Sequence, residues 1–223
     1  MTLLDDARRL WTTLSGAPVR FGERGLNVAV SPGSLLCPPG WVGVVMLGGA
    51  AIATAPDERQ ADRLRRTWTT FDAIAETVTW VDILGPATLA YLAADEFRPA
   101  GGTAETGGDL EPLFAAAGAQ DVNESGLADI TSSAFTVSDG GAVVAAAGYR
   151  SWLEQAAHVC VLTAPAFRGR GLATTVASGA AADALEHGLL PQWRARVEHS
   201  RRVARTLGFR ELGGQISLRL AKD

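Results

Sequence analysis

The stretch that decides the fold is TAPAFRGRGLA, residues Thr163–Ala173. The apolar run HVCVLTAP predicts a strand stopped by Pro165, and the small residues that follow the stretch predict a helix ending at Gly188. The first turn of a helix leaves about four backbone N–H groups unpaired, and the helix dipole adds roughly half a positive charge there. Glycines keep side chains away from that backbone, while Arg168 and Arg170 add full charges. This junction therefore predicts a binding site for phosphate or pyrophosphate.

The composition of the 223-residue chain limits the classes of function. With 47% hydrophobic and 20% charged residues it has an ordinary globular balance, and with a net charge of -4 and no basic run it is not expected to bind nucleic acid. No apolar stretch approaches the ~20 residues of a membrane span, and the early acids of MTLLDDARRLW do not suit a signal peptide. Cys37 and Cys160 lie too far apart for a disulfide framework or a metal-ligand pattern. We therefore expect a cytoplasmic, reduced protein without a metal or a membrane partner.

Residues 1–97 predict an N-terminal α/β subdomain. Apolar residues at helical spacing predict a helix in TLLDDARRLWTTL and a charged amphipathic helix in DERQADRLRRTWTTF. Short runs bounded by Gly and Pro predict strands in LNVAVSP, GWVGVVMLGGAAIATAP and TVTWVDIL, and we predict a short helix in GPATLAYLAADEF. The Gly- and Thr-rich residues 98–108 have no periodicity and predict a linker.

Residues 109–223 predict a second domain, in which strands and helices share a mixed sheet. LEPLFAAAG predicts a helix ended by Gly118, and ITSSAFTVSDGGAVVAAAGYR predicts a hairpin around Asp139-Gly140-Gly141. After the opening motif and its helix, QWRARV predicts a strand, SRRVARTLG a short helix and FRELGGQISLRL a last strand. From the hairpin onward the predicted order is β–β–β–α–β–α–β, which indicates the α/β class with a mixed sheet.

Two common phosphate-binding loops fit the stretch poorly. A Walker A loop requires Gly-Lys-Ser/Thr, which does not occur in the sequence. A dinucleotide fingerprint is matched by Gly169 and Gly171, but Thr174 stands at its last position, and that fingerprint opens a longer parallel sheet. From the residues alone, a protein that binds another phosphate-bearing nucleotide stays possible.

The same stretch resembles motif A of the GNAT superfamily, the acyl-coenzyme A-dependent N-acyltransferases. That motif is Arg/Gln-x-x-Gly-x-Gly/Ala, and Arg168-Gly169-Arg170-Gly171-Leu172-Ala173 matches it at every fixed position. A second segment, SRRVARTLGF at Ser200–Phe209, resembles the helix and Leu-Gly-Phe that close the coenzyme site of the family. Together the two motifs and their predicted strands cover about residues 109 to 220, so the resemblance implies a GNAT-like fold for this half.

The resemblance implies an N-acetyltransferase with acetyl-CoA as cosubstrate. Backbone amides near the glycines would hold the pyrophosphate, and the end of the strand before them would pair with the pantetheine arm. A backbone N–H would polarise the acetyl carbonyl, and a neutral amine would attack the thioester directly in a ternary complex. The residues implied to bind the coenzyme are Val161, Leu162, Thr163, Arg168, Gly169, Arg170, Gly171, Leu172, Ala173 and Ser200.

The sequence departs from the family pattern where the catalytic groups usually lie. Many members of the family carry a Tyr that acts as the acid for the leaving thiolate, and Ala204 stands at that position here. Many also carry an Asn, and Val197 stands at its position. A family base often stands at the place of Ala157 or Val159, whereas His158 between them should face the other way. His199 is our candidate for a proton-handling group, followed by Glu198 and Glu154, and Trp152 could line an acceptor pocket.

A segment of the N-terminal half is partly similar in sequence to the motif. TAPDERQADRLR from Thr54 aligns with TAPAFRGRGLAT from Thr163, and Asp62 replaces Gly171. A carboxylate at a phosphate-facing helix start would repel the ligand. The N-terminal half is therefore either a degenerate GNAT-like copy that binds no coenzyme, or its likeness is coincidental.

Three functions follow from the sequence. The first is N-acetylation of a small-molecule or peptide amine by a monomer or homodimer. The second is a non-catalytic acyl-CoA-binding or regulatory module on the same fold, which the residues at 197 and 204 favour. The third is binding of another nucleotide. The sequence does not identify the acceptor.

Overall fold

The computed structural model describes residues 2–221, and they form two compact units. Unit 1 contains the residues up to Leu89 together with those from Glu211 onward, and unit 2 contains Ala90–Arg210. Both units combine helices with sheet, so the predicted mixed α/β class is confirmed. In chain order the elements are α1 (Leu3–Leu14), β1 (Gly25–Val30), β2 (Val42–Leu47), β3 (Ala50–Ala55), α2 (Glu58–Thr67), α3 (Ile74–Thr77), β4 (Trp80–Tyr91), β5 (Glu105–Thr106), α4 (Glu111–Ala117), α5 (Ala119–Ser125), β6 (Phe135–Asp139), β7 (Ala142–Trp152), β8 (Ala156–Thr163), α6 (Leu172–Glu186), β9 (Leu190–Ala195), α7 (Glu198–Thr206) and β10 (Arg210–Leu220).

In unit 1 the strand order is β1, β3, β2, β10 and β4. The strands β1 and β3 are parallel, whereas β2 runs antiparallel to both β3 and β10. Helix α1 starts with a capping box on Thr2, and helix α2 starts with the Asp57 side chain accepting a hydrogen bond from the Gln60 amide. The apolar core joins Val42, Val44, Ala51, Ala53, Ala61, Leu64, Ile74, Ile216 and Leu218.

In unit 2 the strand order is β9, β8, β7, β6 and β5. The long strands β7 and β8 form an antiparallel hairpin, and β9 is parallel to β8. The small residues of α6 pack on one face of this sheet, against Ala145, Ala147, Val159 and Trp193. On the other face α4 and the turn after α5 place Leu113 and Leu127 against Ala146, Cys160 and Leu162. The period of two in strand side chains thus divides β8 between two cores.

Most predicted elements of the second half form where the sequence placed them. The hairpin turns at Gly140 and Gly141, whose φ angles are 59° and 85°, and α4 ends at Gly118. The predicted β–β–β–α–β–α–β order corresponds to β6, β7, β8, α6, β9, α7 and β10.

One prediction is wrong: GPATLAYLAADEF does not form a helix. Its first seven residues continue β4, and only Ala94–Glu96 form a short 3-10 turn. Gly85 has a φ of 105° and lies so close to β10 that an added Cβ would be 2.8 Å from the Gln215 carbonyl oxygen. The tertiary strand pairing therefore outweighs the weak helical pattern of alanines and leucines.

The units also fall at other residues than the predicted domains 1–97 and 109–223. The residues 98–108, predicted as a linker, lie within unit 2, where Ala100 and Ala104 pack against the α6 core. The Ala100 amide donates to the Ser178 hydroxyl at 3.0 Å, and Glu105–Thr106 pair with β6. Low periodicity here reflects a short segment packed on the surface of unit 2.

Candidate functional site

The parallel strands β8 and β9 of unit 2 separate after three residue pairs. These pairs are Ala156 with Leu190, Ala157 with Pro191, and His158 with Gln192. The rest of β8 keeps its partner on the other side, where β7 pairs with it as far as Thr163. Among residues 2–221 no β9 partner follows His158, so Val161–Thr163 turn one backbone edge toward the gap between the strands.

The loop from β8 to α6 is glycine-rich and open. Gly169 and Gly171 have φ angles of 77° and 80°, in the left-handed region that favours glycine, and Gly171 is the N-cap residue of α6. A Cβ built on either glycine would have no heavy atom within 4 Å. Residues 168–171 are all exposed. The loop therefore surrounds free space next to the first turn of the helix.

The backbone donors of this loop are unused. In the part of the chain that the structure describes, the N–H groups of residues 169–173 have no hydrogen-bond acceptor. The first amides to be bonded are those of Thr174 and Thr175, which donate to the Gly171 carbonyl at 3.0 and 3.2 Å. No side chain caps the helix. Five adjacent donors at a positive helix end are the arrangement that binds a diphosphate.

The two arginines brace the loop rather than extend from it. Arg168 donates through Nε to the Thr163 carbonyl at 3.2 Å and through Nη2 to Asp121 Oδ2 at 2.5 Å. Arg170 donates to the Ala166 carbonyl at 3.2 Å and lies 4.8 Å from the centre of the Phe167 ring. Their charge stays beside the free amides and adds to that of the helix N-terminus.

The second motif is mainly a packing feature. The Ser200 hydroxyl accepts a hydrogen bond from Trp193 Nε1 at 3.0 Å, which ties α7 to β9. Ala204, at the place of the usual Tyr, is 1% exposed and belongs to the α6 core. Gly208 has a φ of 97°, and a Cβ there would lie only 2.1 Å from the Glu96 carbonyl oxygen. The Leu-Gly-Phe turn thus requires glycine because another segment of backbone approaches it.

The structure does not gather the three predicted catalytic candidates around the gap between β8 and β9. Glu198 forms ion pairs with Arg201 and Arg205 on the exposed side of α7. Glu154 lies in the tight turn between β7 and β8 with a φ of 55°, about 23 Å of extended strand from Val161. His199 is exposed in the first turn of α7, and none of the residues from 2 to 221 forms a hydrogen bond with its ring. Their catalytic roles stay predictions.

The sequence reading gave no role to a polar pair on β8 and β9. His158 Nδ1 lies 2.5 Å from Gln192 Oε1, and the imidazole stacks on the Trp152 ring with centres 4.6 Å apart. The expectation that His158 faces away from Val159 is confirmed, because Val159 packs in the α6 core and His158 does not. Loss of solvation, and then the nearby Arg194 charge, lower the pKa of His158 to about 4. The available signal was a single imidazole in β8 and a single side-chain amide in β9.

Two further properties bear on cofactors and membranes. Over residues 2–221, no three His, Cys, Asp or Glu side chains are close enough to hold a metal ion. Within the same range, no helix has the length and apolar character needed to cross a bilayer.

The middle of the chain matches a known family. Residues 131–213, which include the hairpin, the glycine loop and the second motif, match the family model described as GNAT acetyltransferase. The resemblance predicted from motif A is thereby confirmed for this segment. No curated protein matches the chain at a significant level.

One solved structure shows a similar fold at low identity, and two others are reported beside it. A GCN5-related N-acetyltransferase-like protein from Streptococcus suis 89/1591 is 17% identical, with a TM-score of 0.50 over 81% of this chain and 84% of that chain. A GNAT-family protein from Novosphingobium aromaticivorans DSM 12444 is 18% identical, with a TM-score of 0.48 over 64% of this chain and 67% of that chain. A GCN5-related N-acetyltransferase from Kribbella flavida is 19% identical, with a TM-score of 0.46, and the match covers 65% of this chain and 61% of that chain.

Proposed function

We propose that this chain, with a GNAT acetyltransferase segment at 131–213, transfers an acetyl group from acetyl-CoA to an amine of a small-molecule or peptide acceptor. One observation carries the proposal: five unbonded backbone N–H groups surround open space at the N-terminus of α6, next to the free edge of β8. Such a site suits a diphosphate with an extended arm, which is the shape of coenzyme A.

The diphosphate and the pantetheine arm of the coenzyme each have a partner of suitable chemistry in unit 2. The amides of residues 169–173 would bind the diphosphate, with Arg168 and Arg170 adding positive charge. The open backbone edge at Val161–Thr163 would pair with the amides of the pantetheine arm, as an added strand would. The Thr163 Oγ1 atom is buried without a partner among the residues described and offers one more polar group at this edge. The residues present therefore fit acetyl-CoA.

The reaction requires little covalent work from the protein. Acetyl-CoA supplies an activated acyl carbon, and the thiolate of coenzyme A leaves readily at neutral pH. The chain would align the acceptor nitrogen with that carbon, and a β8 backbone N–H would donate to the carbonyl oxygen as negative charge develops there.

A second candidate is a module that binds acyl-CoA without transferring the acyl group. The buried position of Ala204 favours it, because no acid stands where the family usually places one. The ion pairs of Glu198 point the same way. Both candidates predict acetyl-CoA binding and differ only in turnover.

The binding site is tested by replacing Gly171 with Glu. The carboxylate would occupy the open loop beside the five amides and repel a diphosphate, so we expect loss of acetyl-CoA binding in calorimetry. Gly188→Glu is the matched control: its φ is 70°, its Cβ also meets nothing within 4 Å, and it lies beyond the other end of α6. Both variants carry the same backbone strain, and only the first should lose affinity. Equal affinity in the two variants would contradict the site.

Two assays separate the candidate functions. Acetyl-CoA at about 100-fold over its Kd should stabilise the wild-type chain by about 2.7 kcal/mol in thermal unfolding. A shift with NAD or ATP but none with acetyl-CoA would contradict both acyl-CoA candidates. Release of free thiol from acetyl-CoA with one of a panel of amines supports the transferase, and binding without release by any amine supports the module.

A further inference from the structure

His158 and Gln192 form a polar pair at the point where β8 and β9 separate. They form the last residue pair between β8 and β9, and a hydrogen bond of 2.5 Å joins their side chains. Beyond them β8 runs on alone toward the glycine loop. If the pantetheine arm fills the gap from the loop inward, the end of that arm and its acyl group approach this pair.

The hydrogen bond decides which nitrogen of the imidazole carries hydrogen. The Oε1 atom of Gln192 can only accept, so Nδ1 of His158 carries the proton and donates it. The Nε2 atom then keeps its lone pair. The charged groups on this face favour the neutral ring, because Arg150 on β7 and Arg194 on β9 both repel an imidazolium. Further along the face, Asp129 lies near Cys160 rather than near the ring.

The amide of Gln192 has one hydrogen-bonding group left over. The side chain is 0% exposed, and its Nε2 has no partner in the part of the chain described. A buried donor without an acceptor costs about 1–3 kcal/mol, so such groups usually serve a ligand or a bound water. A carbonyl or amine of a bound ligand at the end of the gap would satisfy this donor.

We propose that His158 accepts the proton of the attacking amine, and that Gln192 is the positioning residue that holds it in the Nδ1–H form. The inference rests on the proposed transferase function and adds a proton acceptor to it. The acceptor nitrogen forms a bond to the acyl carbon and gives one proton to His158 Nε2. The carbon–sulfur bond then breaks, and the electron pair leaves with sulfur.

The same residue completes the proton balance. The thiolate of coenzyme A takes a proton, which the imidazolium at His158 returns as the ring becomes neutral again. The products are an amide and free coenzyme A, and no other acid is required. This explains how a chain with buried Ala204 at the usual place of the acid can still turn over. The stack on Trp152 keeps the ring from rotating between the two transfers.

The first test measures turnover in three variants of the full chain. The probes are hydroxylamine, glycinamide and spermidine with acetyl-CoA, and free thiol is the readout. We expect His158→Gln to lower kcat by about 10²- to 10⁴-fold with the probe that reacts best, while the Kd for acetyl-CoA stays within about 3-fold. Gln192→Met should lower kcat less. Cys160→Ala, two residues along the same face and 2% exposed, is the control and should keep kcat within about 3-fold.

The second test observes the imidazole itself. With ¹⁵N-labelled histidine, we expect the His158 signals of the wild type to report a neutral ring with hydrogen on Nδ1 at pH 7. In Gln192→Met the Nε2–H form should gain population, a change that a merely structural role for Gln192 does not require. A His158 signal with hydrogen on Nε2 in the wild type overturns the inference.

The remaining outcomes separate the inference from the proposed function. A wild-type chain that binds acetyl-CoA and turns over, with the same kcat in His158→Gln, overturns the inference and leaves the transferase intact. Binding without turnover of any probe overturns the inference and supports the acyl-CoA-binding module. A chain that does not bind acetyl-CoA overturns the proposed function and the inference together.

Discussion

Single residues set the chemistry of the candidate site through backbone conformation. Gly169 and Gly171 adopt positive φ angles, and this turns five consecutive amides away from other acceptors in the described chain. The arginines beside them are held by Thr163, Asp121 and Ala166 and supply charge without reaching outward. Affinity for a diphosphate should therefore depend more on the glycines than on either guanidinium.

At the same scale, His158 should make stability depend on pH. Its pKa is about 4 in the folded chain and about 6.5 in the unfolded chain, so the unfolded chain binds more protons between these values. The contribution of His158 to the free energy of unfolding is therefore fully present above pH 6.5 and is lost as the pH is lowered toward 4. Because His158 as a whole residue is half-buried, we expect a loss of about 1–2 kcal/mol from pH 7 to pH 5.

Urea unfolding at pH 7, 6 and 5 measures this loss. His158→Gln has no titrating ring, so the difference in unfolding free energy between wild type and variant should shrink as the pH falls. A difference that is constant over this range would mean that the ring titrates alike in both states.

The sequence located the glycine loop more directly than it located the contacts of the catalytic candidates, for a physical reason. The residues that form a glycine-rich turn before a helix are adjacent in the chain, so the turn can be read from the sequence. The partners of Glu198 are Arg201 and Arg205, and only the first stands at a helical spacing that favours pairing. The contact of His158 with Gln192 joins positions in two different strands, so periodicity within either strand could not predict it.

At the scale of elements, close packing of α6 on β6 should reverse an ordinary helix preference. Gly179 lies inside α6, where alanine is usually better by about 1 kcal/mol. A Cβ there would be 2.7 Å from Cδ1 of Phe135 and 3.0 Å from its Cγ. Overpacking of this kind costs about 1–3 kcal/mol, so we expect Gly179→Ala to destabilise the chain by about 1 kcal/mol in urea unfolding.

The Phe135→Ala background provides the control for this prediction. Of the three atoms nearest to a Cβ at position 179, only the Cβ of residue 135, at 3.3 Å, remains without the ring. Gly179→Ala should then be neutral or stabilising, which gives a coupling of at least about 1 kcal/mol in the double-mutant cycle. Additive effects would mean that α6 can shift away from β6 without cost.

Elements with a clear local sequence pattern were predicted well, and pairing partners were not. The strands β7 and β8 and the helix α6 each carry a local pattern that identifies them. The separation of β8 from β9 after His158 leaves no such pattern, because alternation reports which face is buried and not which neighbour is bonded. The wrong helix at GPATLAYLAADEF has the same origin, since its pairing with a distant strand decides its conformation.

At the scale of the whole molecule, the similar sequences that begin at Thr54 and Thr163 form different strand-to-helix connections in the two units. In unit 1 only two residues separate β3 from α2, and Asp57 caps the helix with its own side chain. In unit 2 eight residues separate β8 from α6, and the helix has no side-chain cap. The start of α2 thus uses its own side chain to satisfy the Gln60 amide. This agrees with a copy that binds no coenzyme and equally with a coincidental likeness at Thr54.

The course of the chain through the units is what the sequence could not predict. Residues 109–223 were interpreted as one domain, whereas the residues from Glu211 onward belong to unit 1. There β10 pairs with β2, from Gly213 opposite Leu47 to Leu218 opposite Val42. An alternating strand at the end of a domain indicates that it joins a sheet, and the neighbour in that sheet is set by contacts far away in the chain.

Leu218→Ala tests which unit the last strand stabilises. Leu218 is 0% exposed in the core of unit 1, so we expect a loss of about 3 kcal/mol in unfolding free energy. Arg219→Ala is the control, because that side chain is 53% exposed and its ion pair with Asp82 is worth at most about 1 kcal/mol. Hydrogen exchange should become faster in β2 of Leu218→Ala while β7 and α6 keep their protection. Faster exchange in β7 and α6, with β2 unchanged, would assign the strand to unit 2, as the sequence alone suggests.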